Sequence, residues 1–374
     1  MQLESITLRE IRLPLRDPFR ISSGVTTERR ILLIEARDVD GATAWGECVA
    51  LADPNYSPEM IDTAWTIIRD VVAPRVLGTT IESAREIHAM LEVDFRGNEM
   101  AKAAIEMTAW ALEAEILGVP LAELLGGTRK TIATGISLGL LPTSDALIAK
   151  ARESLDAGYH KVKIKIKPGQ DFDYVRETRE ALGPDAPLMV DANNAYTLDD
   201  TAHLKQFDSL GLMMIEQPLD WDDVIQHSKL QQELETPICL DESITSVAHA
   251  RTMIELDAGR IVNIKPGRVG GFSESIAIHD LCERNSIPVW CGGMLESGIG
   301  RAHNVALASL SNFTLPGDLS PSARYWAQDI VDPEWTMDAS GNVEVPWGKP
   351  GLGVEIDRNR IEALTVRSEI VRQT

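Results

Sequence analysis

Cysteine is scarce in this sequence. Four occur in 374 residues, Cys48, Cys239, Cys282 and Cys291, without a Cys-x-x-Cys pair or any dense framework. That argues against a disulfide-stapled fold and reads as reduced, partly buried thiols of a cytosolic protein. None of the seven histidines falls in a ligand-like pair, so the usual zinc spacings are missing. Positive charge is the minority sign: Lys and Arg number 36 against 57 Asp and Glu, for a net charge of −21. Neither nucleic acid nor an anionic membrane would be attracted, although a local cationic pocket can coexist with an acidic exterior. No run of about 18 apolar residues occurs, and no charged-then-apolar leader opens the chain. There is no low-complexity tract and no Pro/Ser linker. A strand-GxGxxG-helix order is also missing, which leaves dinucleotide binding without support. A cytoplasmic protein acting on a small molecule is the expectation.

What the sequence does contain is a series of short apolar runs, each ending in charge. They are Lys161 to Ile166 (interleaved with lysines), Leu188 to Asp191, Met213 to Glu216, Ile238 to Asp241 and Ile261 to Lys265. The terminal charges Asp191, Glu216, Asp241 and Lys265 follow one another by 25, 25 and 24 residues. Helix-like segments such as Asp199 to Leu210 and Ser246 to Leu256 lie between them. Strand and helix alternating at this period predict repeated βαβ units and a parallel sheet. The intervening sequences are not self-similar, so the period belongs to one closed domain and not to a solenoid. Ile132 to Leu138 is expected as the first barrel strand, followed by a helix from Thr143 to Ala157 with Thr143 or Ser144 near its cap. Ile287 to Cys291 and Phe313 to Gly317 bring the count to about eight strands with seven helices between them.

Ahead of the barrel, residues 1 to about 50 alternate as antiparallel strands, with a loop expected over Asp17 to Thr27. From Pro58 to Leu117 the period is helical. Met60, Ala64, Ile67, Ile68 and Val71 share one face, and a long Ala-rich helix over Ala101 to Ile116 is ended by Gly118 and Pro120. The polar stretch after Ala323, with Trp335 to Trp347, is expected to fold back onto the first domain. The domains are therefore expected over 1–128 (α+β), 129–323 (barrel) and 324–374 (returning segment).

In a parallel barrel the C-terminal strand ends carry the catalytic residues. Alternation along 161–166 puts Lys161, Lys163 and Lys165 on one face. On an edge strand that face would be solvated; inside a barrel Lys163 and Lys165 project into the interior near the rim. A single acid after a strand is most often a cap or loop residue. Three at equal spacing would repel and carry raised pKa values unless a cation sat among them. Hard oxygen ligands without His or Cys favour Mg²⁺, with Mn²⁺ as the alternative. Asn193 reads as a partner of these ligands or as a turn residue. Lys265 ends the sixth strand, opposite the second in an eight-strand ring. A divalent cation flanked by two opposed lysines suits removal of a proton next to a carboxylate, and nearby positive charge would lower the pKa of Lys165 enough to make it a base.

Longer motifs carry a resemblance. They are Lys163-x-Lys165, Asp191-Ala192-Asn193, Ile215-Glu216-Gln217-Pro218, Leu240-Asp241-Glu242-Ser243, Asn263 through Gly271, Cys291 through Glu296, Phe313 through Asp318, and Pro120-Leu121 with Leu124 through Gly127. With these, nearly the whole chain resembles the enolase superfamily, muconate-lactonizing subgroup, and in particular the o-succinylbenzoate synthase / N-acylamino acid (N-succinylamino acid) racemase family. Sites pairing a Lys base with Mg²⁺ are a known pattern of that superfamily. The resemblance implies a (β/α)7β TIM-like barrel under an α+β capping domain made by both ends of the chain. It implies Mg²⁺ on Asp191, Glu216 and Asp241, Lys165 and Lys265 as the acid/base pair, and Lys163 as auxiliary cation. It further places Phe19, Ser22, Asn193, Arg268, Gly293 and Met294 against the substrate, with Glu242 behind the metal ligands and the Phe19 loop closing over the site. Arg268 matches the branch in which N-succinylamino acids are racemised. The implied chemistry is dehydration of 2-succinyl-6-hydroxy-2,4-cyclohexadiene-1-carboxylate, a step of menaquinone biosynthesis, or racemisation of N-succinylamino acids, by a homo-oligomer. Muconate cycloisomerase is the alternative. A dipeptide epimerase would be expected to carry Asp-x-Asp where Gly292-Gly293-Met294 stands, and a non-catalytic binding protein would need no opposed lysines.

Overall fold

The alternating pattern at the start of the chain folds as an antiparallel sheet. This computed structural model describes residues 1–21 and 24–373, with residues 19–21 and 24 given by their backbone alone. In it β1 (Leu3–Ile21), β2 (Gly24–Asp38) and β3 (Thr43–Cys48) are joined by the C-terminal strand Thr365–Arg372, which lies on the open side of β1. The Ala-rich helix, Glu99–Leu117, packs across β2 and β3 and stops at Gly118, whose φ of 69° is the left-handed conformation that ends helices.

Two sequence expectations are corrected here. The loop expected over Asp17 to Thr27 is the end of a long hairpin, in which Phe19, Arg20 and Ile21 pair with Thr26, Val25 and Gly24. Pairing breaks between Pro14 and Phe19, where Pro14 and Pro18 have no N–H to donate; β-branched Val25, Thr26 and Thr27 then resume the ladder. The helix after Pro58 buries Ile61, Ala64, Trp65, Ile68 and Val72 in place of the expected stripe through Met60, Ile67 and Val71. Met60 is the N-cap, and residues Ile68–Val72 widen into a π turn that shifts the face.

Seven parallel strands follow in chain order, each paired with the next: Gly135–Leu138, Lys161–Lys165, Leu188–Asp191, Ile215–Glu216, Ile238–Leu240, Ile261–Ile264 and Val289–Cys291. They are barrel strands one to seven. Residues 313–318 close the ring. Phe313 bridges Val289 and Gly317 bridges Thr134, while Asp318 N donates to Cys291 O at 2.9 Å and Gly135 N to Gly317 O at 2.6 Å. Pro316 lacks an N–H, which fits a segment that pairs both neighbours without a continuous ladder. Helical connections run between successive strands, the first capped by Thr143, whose hydroxyl accepts from Ala146 N at 3.2 Å. The architecture is a (β/α)7β barrel under an α+β cap to which both ends of the chain contribute.

The first barrel strand begins later than expected. Thr131–Ala133 pairs antiparallel with Asn342–Glu344, and only Gly135–Leu138 enters the barrel. The stretch from Trp335 to Trp347 accordingly packs at the start of the barrel, and the return to the first sheet is made by Thr365–Arg372. Among the described residues no helix is long and apolar enough to cross a membrane.

Alternation along the strands divides the core in two. Val162, Ile164, Val190, Leu240, Val262 and Ile264 belong to the main core, whereas Met189, Met214, Cys239, Ile261 and Trp290 form a separate cluster within the barrel. Each large side chain buried there contributes about 1.5–3 kcal/mol. The barrel thus has a dry floor, and charges set on it must find partners.

Candidate active site

Asp191 and Glu216 end strands three and four as register partners, and Lys165 is the register partner of Asp191 on strand two. Asp241 follows strand five and Lys265 follows strand six. All are buried, together with Lys163 and Arg268. Lys165 Nζ donates to Asp191 Oδ2 at 2.6 Å and to Asn193 Oδ1 at 2.7 Å. Lys163 Nζ lies 3.1 Å from Glu216 Oε2, 3.5 Å from Asp191 Oδ2 and 2.6 Å from Asp318 Oδ2. Lys265 Nζ donates to Asp241 Oδ2 at 2.7 Å, and Arg268 Nη1 bonds Asp241 Oδ1. Asn263 Nδ2 donates to Glu216 Oε1 at 2.7 Å.

These neighbours divide the acids electrostatically. Burial opposes ionisation of Asp191, but Lys165 and Lys163 outweigh it and hold its carboxyl below the ordinary range. Lys265 and Arg268 do the same, against burial, for Asp241. Glu216 goes the other way: burial, and then the charge of Asp191, push it up to about 8. Glu242 is pushed up to about 7 by burial and by Asp241. Burial also works against the charge on Lys163 and Lys265, but in each case the facing acids prevail and the amine is held as ammonium.

Lys165 and Lys265 line a single cavity of about 70 Å³ with Lys163, Asp191, Asp318 and Tyr325. Tyr325 also walls a wider space of about 390 Å³ lined by Pro18, Leu138, Leu141, Lys150 and Arg324. The backbone is strained at this rim. Gln217 (φ 40°) and Leu295 (φ 56°) take the left-handed conformation without being glycine or asparagine, a cost found most often at functional sites. Gly292 keeps the stem of Lys265 free, since a Cβ there would meet Lys265 Cε at 2.6 Å.

The other expected substrate contacts do not all reach the cavity. Gly293 lines the smaller cavity. Met294 is buried, its N–H donating to Glu296 Oε1 at 2.8 Å. Arg268 does not line that cavity: besides Asp241, it donates to Ile244 O at 2.7 Å and Asn263 O at 2.6 Å. Asn193 Nδ2 reaches Glu242 Oε1 at 3.3 Å, joining that acid to Lys165. Phe19 sits near the hairpin end, where the backbone alone is described, and Ser22 lies outside the described residues.

Sequence reasoning missed Tyr56, Asn263, Asp318 and Tyr325. Asp318 stood at the end of the eighth apolar segment, the same position that singled out the other acids. Asn263 shares the inward face of strand six with Lys265, two residues away. Tyr56 and Tyr325 lie in loops, where period carries no signal.

The donor set at the rim suits a hard cation, with three carboxylates on consecutive strands and neither His nor Cys among the three. Their oxygens are at present divided among the chain's own cations. Among the described residues the trio of donors within 4.8 Å of one another is elsewhere, at His279, Asp280 and Glu283. There His279 has both ring nitrogens engaged, with Asp280 at 2.8 Å and Asn312 N at 2.9 Å, so it has none to offer.

Residues 4–126 match the mandelate racemase / muconate lactonizing enzyme N-terminal domain, and residues 146–360 match the enolase C-terminal domain-like family. The chain belongs to the enolase superfamily, in its mandelate racemase / muconate lactonizing group. Enzymes of that superfamily generally use Mg²⁺. Over 374 residues the chain is 45% identical to the o-succinylbenzoate synthase of Geobacillus kaustophilus, covering 100% of this chain and 99% of the relative. It is equally, 45%, identical over 366 residues to the N-succinylamino acid racemase of Thermus thermophilus, covering 98% of each. A solved enolase-superfamily structure from Listeria innocua, 37% identical, superposes with a TM-score of 0.96 over 100% of this chain and 99% of that one.

Proposed function

We propose that this chain removes and returns a proton at the carbon next to a substrate carboxylate, with Lys165 and Lys265 as the acid/base pair and Lys163 as a fixed cation. The observation that carries the reading is that two buried lysine side chains, from strands two and six of an eight-membered ring, line one cavity while each rests on a different acid. Asp191, Glu216 and Asp241 would hold Mg²⁺. When bound there the ion supplies the positive charge against which a carboxylate can carry the second negative charge of its deprotonated form.

The residues then divide the work. Lys165, aimed by Asp191 and Asn193, takes the proton from one face of the carbon. Lys163, held charged by three acids, offsets the charge that develops. Lys265 stands at the other face: in a dehydration it stays protonated as a cation while Lys165 passes the proton it has taken to the departing hydroxyl, which leaves as water, and in a racemisation Lys265 delivers the returning proton.

Charge supports a dianionic substrate. Five buried cations (Lys161, Lys163, Lys165, Lys265 and Arg268) face five buried acids (Asp191, Glu216, Asp241, Glu242 and Asp318). With Lys165 deprotonated as the base, a divalent ion would leave one positive charge for the carboxylate at the metal, and Arg324 and Lys150 in the wider space would meet a second. The wider space beyond Tyr325, with Arg324 and Lys150, would take the acyl tail. The reactions that fit are dehydration of 2-succinyl-6-hydroxy-2,4-cyclohexadiene-1-carboxylate to o-succinylbenzoate and racemisation of N-succinylamino acids. The test is turnover of both by the purified protein with Mg²⁺, followed by ultraviolet absorbance for the first and optical rotation for the second. Detectable turnover of either is expected; no reaction with either would end this reading.

A further inference from the structure

Lys161 opens strand two and is fully buried in the barrel, below Lys163 and Lys165. Burying an isolated ammonium is costly, so its surroundings have to account for it. Two groups do. Its Nζ stands 3.4 Å over the Trp290 ring and 3.3 Å from Asp318 Oδ1. Asp318 turns its other oxygen to Lys163 Nζ at 2.6 Å, and the same Trp290 ring lies 5.0 Å from that Nζ. The facing backbone has been left bare to admit the side chain: a Cβ on Gly135 would overlap Lys161 Cε. Of the three acids around Lys163, Asp318 is the one outside the set assigned to the metal.

We propose that Lys161 is a positioning residue: through Asp318 and the Trp290 ring it fixes where the Lys163 ammonium stands in the cavity. The inference rests on the reading of Lys163 as the fixed cation of the site, but its first test does not depend on turnover. Replacing Lys161 by Met keeps the apolar stem and removes the charge. Asp318 then loses one of its two cations and the Trp290 ring loses the ammonium above it.

The readout is the side-chain ammonium resonance of Lys163 in ¹⁵N-lysine-labelled protein, assigned by Lys163→Arg. In K161M that resonance is expected to shift or broaden, while K161R, which keeps the charge, leaves it close to its wild-type position. Gly135→Ala, which crowds Lys161 without changing any charge, should move it as well and stands in should K161M fail to fold. An unmoved Lys163 signal in whichever of K161M and G135A folds would overturn the proposal. Should the protein turn over either succinyl substrate, kcat of K161M is expected to fall about tenfold or more with KM changed less than threefold. K161R should recover most of that loss, and K161M/D318N should lose no more than the worse single variant, because both act along one chain of contacts. Losses that multiply in the double variant, or a wild-type kcat in K161M, would also overturn it. A wild-type protein inactive on both substrates, with the Lys163 signal still displaced in K161M, would separate the failure of the proposed reaction from that of the positioning role.

Discussion

Tyr56, on a loop of the cap, donates its hydroxyl to Asp241 Oδ1 at 2.9 Å across 185 positions of sequence. The same hydroxyl accepts from Lys265 Nζ at 3.2 Å, and the ammonium lies 4.5 Å from the ring centroid. One aromatic side chain therefore ties the cap to an acid and an amine of the barrel rim. Tyr56→Phe keeps the ring and removes only the hydroxyl, as donor to Asp241 and as acceptor from Lys265. A hydrogen bond to a charged group contributes about 1.5–3 kcal/mol, so kcat/KM is expected to fall at least roughly tenfold while Tm changes by only a few degrees. Steady-state kinetics and a thermal melt check this; unchanged kinetics would detach Tyr56 from the reaction.

Lys165 and Lys265 should each serve one face of the reacting carbon. In deuterium oxide, Lys165→Ala is expected to lose exchange of the α-hydrogen from one enantiomer of an N-succinylamino acid, and Lys265→Ala from the other. Proton nuclear magnetic resonance of the two enantiomers measures it, with circular dichroism to show that both variants fold. Wild-type exchange of both enantiomers in either variant would contradict a two-sided site.

Chelation should abolish turnover, and added Mg²⁺ should restore it. Binding to the folded state alone raises stability by about 2.7 kcal/mol at a hundredfold excess over Kd, so wild-type Tm is expected to climb with Mg²⁺ concentration. Glu216→Gln and Asp241→Asn should flatten that rise. A full Mg²⁺ response in both variants would place the ion elsewhere.

Glu47 gives a stability prediction independent of catalysis. It reaches from β3 to the barrel, accepting from Ser297 Oγ at 2.6 Å and from Gly300 N at 3.2 Å. Burial pushes its carboxyl up to about 7, with Glu296 adding to the rise and Ser297, Arg29 and Gly300 moderating it. An acid whose folded pKa is raised favours the folded state while it stays protonated. That contribution is present in full below the unfolded value near 4.5 and is lost as pH rises through about 7. Glu47→Gln removes the ionisation. Its stability relative to wild type is expected to grow by about 3 kcal/mol between pH 4.5 and 8, the scale of a shift of that size. Denaturant unfolding of both proteins across that range measures the difference; a pH-independent difference would refute the assignment.

How much of this was legible in the sequence depended on period. Asp191, Glu216, Asp241 and Lys265 could be read because each closes an apolar run at nearly constant spacing, and strand geometry alone sets them on one rim. Lys163 and Lys165 followed from alternation along one strand, and so did the inward face of Lys161. Residues outside a repeating pattern stayed hidden. Tyr56 is a lone aromatic between Asn55 and Ser57 in a turn-rich stretch, and only the tertiary docking of the cap delivers it to Asp241. The hairpin end reads as a loop because Pro18, Ser22, Ser23 and Gly24 fall within it, yet pairing with the opposite strand overrides local preference. Arg268 was singled out only through the family resemblance, and nothing in the sequence foretold that its guanidinium would be spent on Asp241, Tyr56 and two backbone carbonyls.

The C-terminal strand has a consequence for biogenesis. Ile6 pairs with Val371, so β1 keeps one bare edge until the strand beyond the barrel has been made. Contacts of such long sequence separation form late, whereas each βα unit of the barrel can pair with its neighbour as it emerges. The cap sheet is therefore begun before the barrel and completed after it. Its exposed edge strand is the segment most in need of a chaperone in the interval.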